Sequence, residues 1–171
     1  RQAALLRARR EVELIEPGVV EIIATALVQP SQLPEDIQAR DLEVERIAME
    51  IAMAVEKAEG ADVRDVSTPP KARLAGLSDS PGFDLFSKRP AEERGIEVKG
   101  RVGTGAIELT ENEWARAINE RERYWLYAVF DCGTPNPRLF RVQDPFGKLV
   151  AKATSGVMIG FSQVVQAATA D

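Results

Sequence analysis

The sequence contains no histidine and a single cysteine, Cys132, among its 171 residues. Without histidine, Ser-His-Asp and Cys-His catalysis, His-ligated zinc sites and histidine-dependent metal nucleases are all excluded. One cysteine supports neither an internal disulfide nor a Cys-ligated zinc site, and it fits a reducing cytoplasm. If the chain is an enzyme, it must therefore use carboxylates, lysines, hydroxyls or a hard metal ion, and carboxylates prefer Mg²⁺ or Mn²⁺.

Long apolar runs are also missing, so the sequence predicts no membrane span. It has no initiator methionine and no signal peptide, since residues 1–10 form a charged stretch. These features predict a cytoplasmic fragment of a larger protein. The net charge of −5 argues against a basic protein that coats nucleic acid.

The chain divides into two parts by composition. Residues 1–34 are predicted to form a helical appendage or linker, with a helix over 1–16 and an apolar segment over 19–28 before a proline-rich stretch. Residues 35–171 are predicted to form one domain, which suits their length.

Within residues 35–171 the pattern alternates between helical and strand periodicity. The clearest helix spans 41–59, where apolar residues follow the helical period and a glycine ends the run. Further predictions are strands at 61–67, 82–87, 95–102, 106–109, 124–130 and 139–142, a loop at 68–81, a helix from a Thr110/Glu113 capping box to about 122, and a closing helix at 162–170. This order predicts an α/β (α+β) fold with a mixed central sheet flanked by helices.

The residues that suggest chemistry lie on two of the predicted strands. Glu97 and Lys99 are two positions apart, so a strand projects both from one face. Asp84 lies between apolar neighbours on the preceding strand, and a hairpin would bring it close to Glu97. Two adjacent carboxylates repel unless a cation lies between them, and Mg²⁺ is the natural choice. Lys99 would then orient or deprotonate the attacking water, or stabilise phosphate charge.

The same pattern allows a simpler interpretation, a cross-strand salt bridge among Asp84, Glu97 and Lys99. The glycine-rich segment 100–105 that follows lacks the strand-to-helix context and the Lys-Ser/Thr of a P-loop. We interpret it as a flexible turn beside the site, with Arg101 as a candidate contact for nucleic-acid phosphate.

Asp84 followed by Glu97-Val98-Lys99 resembles the signature of the PD-(D/E)XK nuclease superfamily, although Phe83 stands where the signature has proline. The chain resembles more specifically the domain at the C-terminus of the plant protein NO VEIN, found also in helicase-like and restriction or antiphage proteins. The resemblance covers about residues 41–150 and rests on six stretches: 59–67, 82–85, 96–100, 109–114, 124–127 and 142–145.

The resemblance implies a PD-(D/E)XK restriction-endonuclease-like core and a Mg²⁺- or Mn²⁺-dependent endonuclease acting on nucleic acid, preferably DNA. Asp84 and Glu97 would hold the metal, Lys99 would assist the water, and Glu50 on the first helix would add a further catalytic and metal-binding carboxylate. The partners implied are DNA and the remainder of a larger helicase- or ATPase-like protein, and a homodimer is a further expectation. The alternatives are a catalytically silent nucleic-acid-binding or docking module on the same fold, and a structural interaction domain that oligomerises through its N-terminal segment.

Overall fold

The computed structural model describes residues 34–153 and 156–169. The helix predicted at 1–16, the apolar segment at 19–28 and nearly all of the linker lie outside these residues, as does the last residue of the predicted closing helix. The division of the chain near residue 34 therefore stays a prediction.

The longest helix, α1 (Pro34–Ala58), carries the apolar stripe that the sequence predicts. Val44, Ala48 and Ala52 lie on one face and are buried against the sheet. The helix is followed by Gly60 at φ +82°, a left-handed conformation that glycine adopts without strain. It begins seven residues earlier than predicted, at a proline, which the first turn of a helix tolerates.

The central sheet has five strands: β1 (Asp62–Asp65), β2 (Leu85–Arg89), β3 (Glu92–Gly100), β5 (Tyr124–Phe130) and β6 (Arg138–Gln143). They lie side by side in the order β1-β2-β3-β5-β6. β3 and β5 are parallel, whereas the other neighbours are antiparallel. The predicted α+β fold with a mixed central sheet flanked by helices is confirmed.

The remaining elements are short helices, a turn and the strands of a second, smaller sheet. They are α2 (Pro69–Leu74), β4 (Ile107–Leu109), α3 (Glu111–Glu120), a 3-10 turn (Arg121–Arg123), α4 (Pro145–Lys148), β7 (Lys152–Ala153), β8 (Val157–Ile159) and α5 (Phe161–Ala167). The strand predicted at 106–109 joins a separate three-stranded sheet, β4-β8-β7, because it pairs with β8. The loop predicted at 68–81 was wrong in part, since two of its prolines open the short helix α2.

Apolar side chains pack against both faces of the central sheet. One cluster lies between α1 and the residues of β2, β3 and β5 that face it, including Leu85, Ile96 and Val98. A second cluster lies on the opposite side, where Leu126 and Phe130 pack against the small sheet and α5. All seven residues of β5 are buried, as predicted for a strand covered on both faces. None of the described helices is long and apolar enough to cross a membrane.

Candidate active site

A β-hairpin places Asp84 beside Glu97. β2 and β3 pair antiparallel with Leu85 opposite Ile96, so the residue before Leu85 lies next to the residue after Ile96. The backbone N–H of Asp84 donates to the carbonyl of Ile96 at 3.0 Å, and its carboxylate Oδ2 accepts from the backbone N–H of Val98 at 3.0 Å. Because side chains alternate along β3, Glu97 projects from the face of the sheet opposite Ile96 and Val98, which are buried against α1.

Glu97 is a buried carboxyl group, with only 2% of its surface exposed. Burial, reinforced by the negative charge of Asp84, raises the pKa of Glu97 well above its usual range. Burial also raises the pKa of Asp84, and the Val98 N–H and the charge of Lys99 oppose this shift only in part. The two carboxylates thus raise the cost of ionising one another, and a nearby cation would lower that cost.

Lys99 lies between two carboxylates. Its Nζ is 2.7 Å from Oε1 of Glu97 and 2.9 Å from Oε2 of Glu113, and 23% of its side chain is exposed. Burial by itself lowers the pKa of Lys99, but the two glutamates outweigh burial and raise the pKa above its ordinary value. Lys99 is therefore a stable ammonium at neutral pH, which fits a charge-stabilising role better than that of a general base.

Glu113 both caps α3 and contacts Lys99, and only the first of these roles was predicted from the sequence. The sequence predicted it as the third residue of a capping box, and Thr110 and Glu113 do form that box at the start of α3. The same oxygen, Oε2, accepts from the backbone N–H of Thr110 at 2.9 Å and from Lys99. The start of α3 is thereby tied to the site lysine. The only feature of the sequence that could have indicated the contact with Lys99 is that the capping residue is acidic.

An open cavity of about 510 Å³ gives access to these groups. One wall comes from α1, which contributes Asp41, Val44 and Glu45. α1 approaches this closely because β3 ends in Gly100, where a Cβ atom would lie 2.8 Å from the carbonyl oxygen of Val44. The cavity is lined by Asp41, Val44, Glu45, Asp84, Glu97, Val98, Lys99, Gly100, Arg101 and Glu113.

The structure brings together Asp84, Glu97, Lys99 and Arg101 of the predicted site residues. Glu50 is elsewhere on α1: its side chain is 64% exposed and pairs with Arg46 at 2.5 Å. Glu45, one and a half turns earlier, lines the cavity instead. By helical spacing, Glu50 and Glu45 lie on opposite sides of the apolar stripe of α1, and spacing alone does not show which side faces the hairpin.

The donors of this cavity fit Mg²⁺ in chemical type. Carboxylate oxygens are its preferred protein ligands, and Mg²⁺ commonly uses one or two carboxylates together with waters and substrate phosphates. Within the described residues, no group of three or more His, Cys, Asp or Glu side chains is arranged to hold an ion. The protein's own ligands would therefore be the pair Asp84 and Glu97.

The fold and the cavity together define an α+β domain in which carboxylates and a lysine meet at the β2–β3 hairpin. Residues 44–142, more than half of the chain, match the family described as Protein NO VEIN, C-terminal, and the chain belongs to this family. The matched range contains Asp84, Glu97, Lys99 and Glu113. Neither a search of curated proteins nor a search of solved structures gave a match.

Proposed function

We propose that this domain is a metal-dependent nuclease that hydrolyses phosphodiesters in nucleic acid, with DNA as the favoured substrate. The observation that supports it most is the pair of partly or fully buried carboxylates at one hairpin, where Asp84 immediately precedes β2 and Glu97 lies on β3. Lys99 lies in hydrogen-bond contact with Glu97, and all three side chains line one open cavity. This arrangement is the one that a PD-(D/E)XK site requires, so we assign the domain to that superfamily as part of the proposal.

Asp84 and Glu97 would hold the metal, Mg²⁺ or Mn²⁺, through their carboxylate oxygens. The ion, when bound, supplies Lewis-acid activation of water and neutralises phosphate charge. Lys99 donates hydrogen bonds as an ammonium, so it stabilises negative charge that develops on the phosphate oxygens. Glu113 holds that ammonium in place from the start of α3.

The wider setting follows from the family resemblance. We propose that the domain is part of a larger helicase- or ATPase-like protein that acts in DNA processing, restriction or antiphage defence in the cytoplasm. A homodimer remains a further prediction.

A catalytically silent nucleic-acid-binding or docking module is the second candidate. Two observations favour it: the described residues supply no third carboxylate arranged around an ion, and Lys99 already neutralises Glu97 without a metal. In a silent module the three residues would be a structural ion-pair cluster, and the protein would bind nucleic acid or a partner without any dependence on metal.

The experiment that tests these functions is cleavage of supercoiled plasmid by the full chain with Mg²⁺, with Mn²⁺ and with EDTA. We expect metal-dependent nicking that Asp84→Asn and Lys99→Met abolish. Equal cutting by these variants would assign the activity to a contaminant and refute the site.

Two glutamates of α1 provide a matched pair for the same assay. We expect Glu45→Gln to reduce cleavage, since Glu45 lines the cavity, and Glu50→Gln to cut like the wild type. The opposite result would restore Glu50 as the contribution of α1 to the site.

A further inference from the structure

A second cavity adjoins the candidate active site. It has a volume of about 260 Å³ and lies between α1 and the glycine-rich loop that follows β3. Its lining shares Asp41, Val44, Gly100 and Arg101 with the larger cavity, so the two lie side by side. The lining that belongs to the second cavity alone is Arg40 from α1 and Val102, Gly103 and Thr104 from the loop.

Two arginines of this cavity have no carboxylate partner among the residues that the structure describes. Of the twelve arginines in the described ranges, nine form ion pairs, and the remaining three are Arg40, Arg101 and Arg123. Arg40 and Arg101 both line the second cavity, whereas Arg123 does not. An arginine whose charge no neighbouring carboxylate neutralises is available to an anion, and its planar guanidinium matches phosphate.

The loop offers additional donors. Within the described part of the chain, the backbone N–H groups of Gly103, Thr104 and Gly105 donate to no protein acceptor. Successive free N–H groups in a turn form a concave surface that favours anions. Thr104, which also lines the cavity, adds a hydroxyl-bearing side chain to this loop.

The two cavities differ in charge. The larger one is lined by five carboxylates, Asp41, Glu45, Asp84, Glu97 and Glu113, against two cationic side chains. The smaller one has two arginines against one carboxylate. A phosphate is therefore repelled by the first cavity without a metal but attracted by the second.

We propose that the second cavity binds a phosphate of a nucleic-acid strand next to the phosphate that is cut, with Arg40 and Arg101 as its main contacts. The proposal rests on the proposed function for the identity of the cut phosphate, but its binding contacts are independent of catalysis. The cavity thereby fixes the path by which the strand leaves the carboxylate pair, between α1 and the loop.

The test is fluorescence anisotropy of the full chain with a labelled single-stranded oligonucleotide in EDTA, so that binding is measured without cleavage. The double variant Arg40→Gln/Arg101→Gln is compared with Arg73→Gln/Arg123→Gln, which removes the same charge at exposed positions outside both cavities. We expect the first variant to lose about tenfold in affinity near 0.1 M salt and about 1.4 units of salt slope, which corresponds to two phosphate contacts on a single strand. The matched variant should bind like the wild type.

Equal binding by the two double variants, or no binding by the wild type, would overturn the proposal. Competition with inorganic phosphate separates a strand site from a site for free phosphate. We expect inorganic phosphate to displace the oligonucleotide no more than sodium chloride of equal ionic strength does. Displacement of the oligonucleotide at submillimolar phosphate would overturn the assignment to a nucleic-acid strand.

Plasmid cleavage measured in parallel keeps this proposal apart from the proposed function. Loss of binding in the cavity variant without any cleavage by the wild type would leave the phosphate site standing and refute the nuclease. Cleavage by the wild type with unchanged binding and cleavage in the cavity variant would refute the phosphate site alone.

Discussion

Glu56 on α1 allows the most direct test of how this fold is held together. Its side chain is fully buried, and its carboxylate accepts hydrogen bonds from the hydroxyls of Ser87 and Tyr127. It also pairs with Arg89 at 2.9 Å and with Arg94 at 3.3 Å. This single group therefore links α1 to β2, β3 and β5 through charge and hydrogen bonds in the interior.

Glu56→Gln removes the charge and keeps the shape. Removing one partner of a buried ion pair costs about 3–5 kcal/mol, because the other charge stays buried without compensation. Here Arg89 keeps Glu59 and Arg94 keeps Glu92, and the glutamine carbonyl still accepts one hydrogen bond. We therefore expect a loss of about 3 kcal/mol, which for a urea slope of about 2 kcal/mol per M lowers the unfolding midpoint by roughly 1.5 M.

The effect should depend on pH in a defined direction. Burial by itself raises the pKa of Glu56, but hydrogen bonds from Ser87, Tyr127 and Arg89 outweigh it and hold the pKa below the ordinary value of 4.5. A lowered pKa stabilises the native state above pH 4.5, and this contribution is lost as the pH falls through the folded-state pKa. The difference between wild type and Glu56→Gln should therefore be full at pH 7 and shrink as the pH falls below about 4.5.

The measurement is urea unfolding followed by circular dichroism at several pH values, with Glu50→Gln as the matched control. Glu50 lies on the same helix and loses the same charge, but its pair with Arg46 is exposed, so it should cost less than about 1 kcal/mol. A loss below about 1 kcal/mol for Glu56→Gln, or one equal to the control, would refute the view that this buried network holds α1 on the sheet.

Three further predictions concern the site itself. Glu113→Gln keeps the capping box, because glutamine can replace glutamate there, but it removes the negative charge that holds Lys99. We expect about 10–100-fold less cleavage with little change in unfolding temperature. The control Glu111→Gln, in the same turn, should behave like the wild type. Gly100→Ala should lower the unfolding temperature and the cleavage rate together, since its Cβ would lie 2.8 Å from the Val44 carbonyl oxygen, and an unchanged melting curve would contradict this contact. Mn²⁺ at about a hundred times its Kd should stabilise the wild type by about 2.7 kcal/mol in thermal unfolding but not Asp84→Asn, and equal shifts in both would exclude Asp84 as a ligand.

Local pattern was sufficient for much of the site. Strand alternation predicted that Glu97 and Lys99 share one face, and both line the cavity. Asp84 was predicted on the neighbouring strand but lies immediately before β2, where the hairpin still brings it beside Glu97. The capping box likewise follows from spacing alone, since both of its hydrogen bonds join residues three positions apart. These features depend on contacts within a few residues or within one hairpin, which the sequence encodes directly.

Other features depended on how distant elements pack. The helical period fixed the apolar stripe of α1, but the choice between Glu45 and Glu50 depends on which shoulder of that stripe faces the hairpin. That orientation is set by the close approach of α1 to Gly100, a contact between residues more than fifty positions apart. In the same way, the strand at Ile107–Leu109 joined the second sheet because its partner, β8, lies fifty residues later in the chain.

By itself, the sequence predicted the α+β fold, and the absence of histidine together with the Asp84…Glu97-Val98-Lys99 spacing predicted a candidate carboxylate–lysine site on a hairpin. Only the tertiary structure showed that the cap of α3 also holds Lys99 and that Arg40 and Arg101, which pair with no carboxylate of the described residues, line a cavity next to the carboxylates. The reason is physical. Periodicity and spacing act along the chain, whereas the burial of a charge and the partner that neutralises it are properties of the packed molecule.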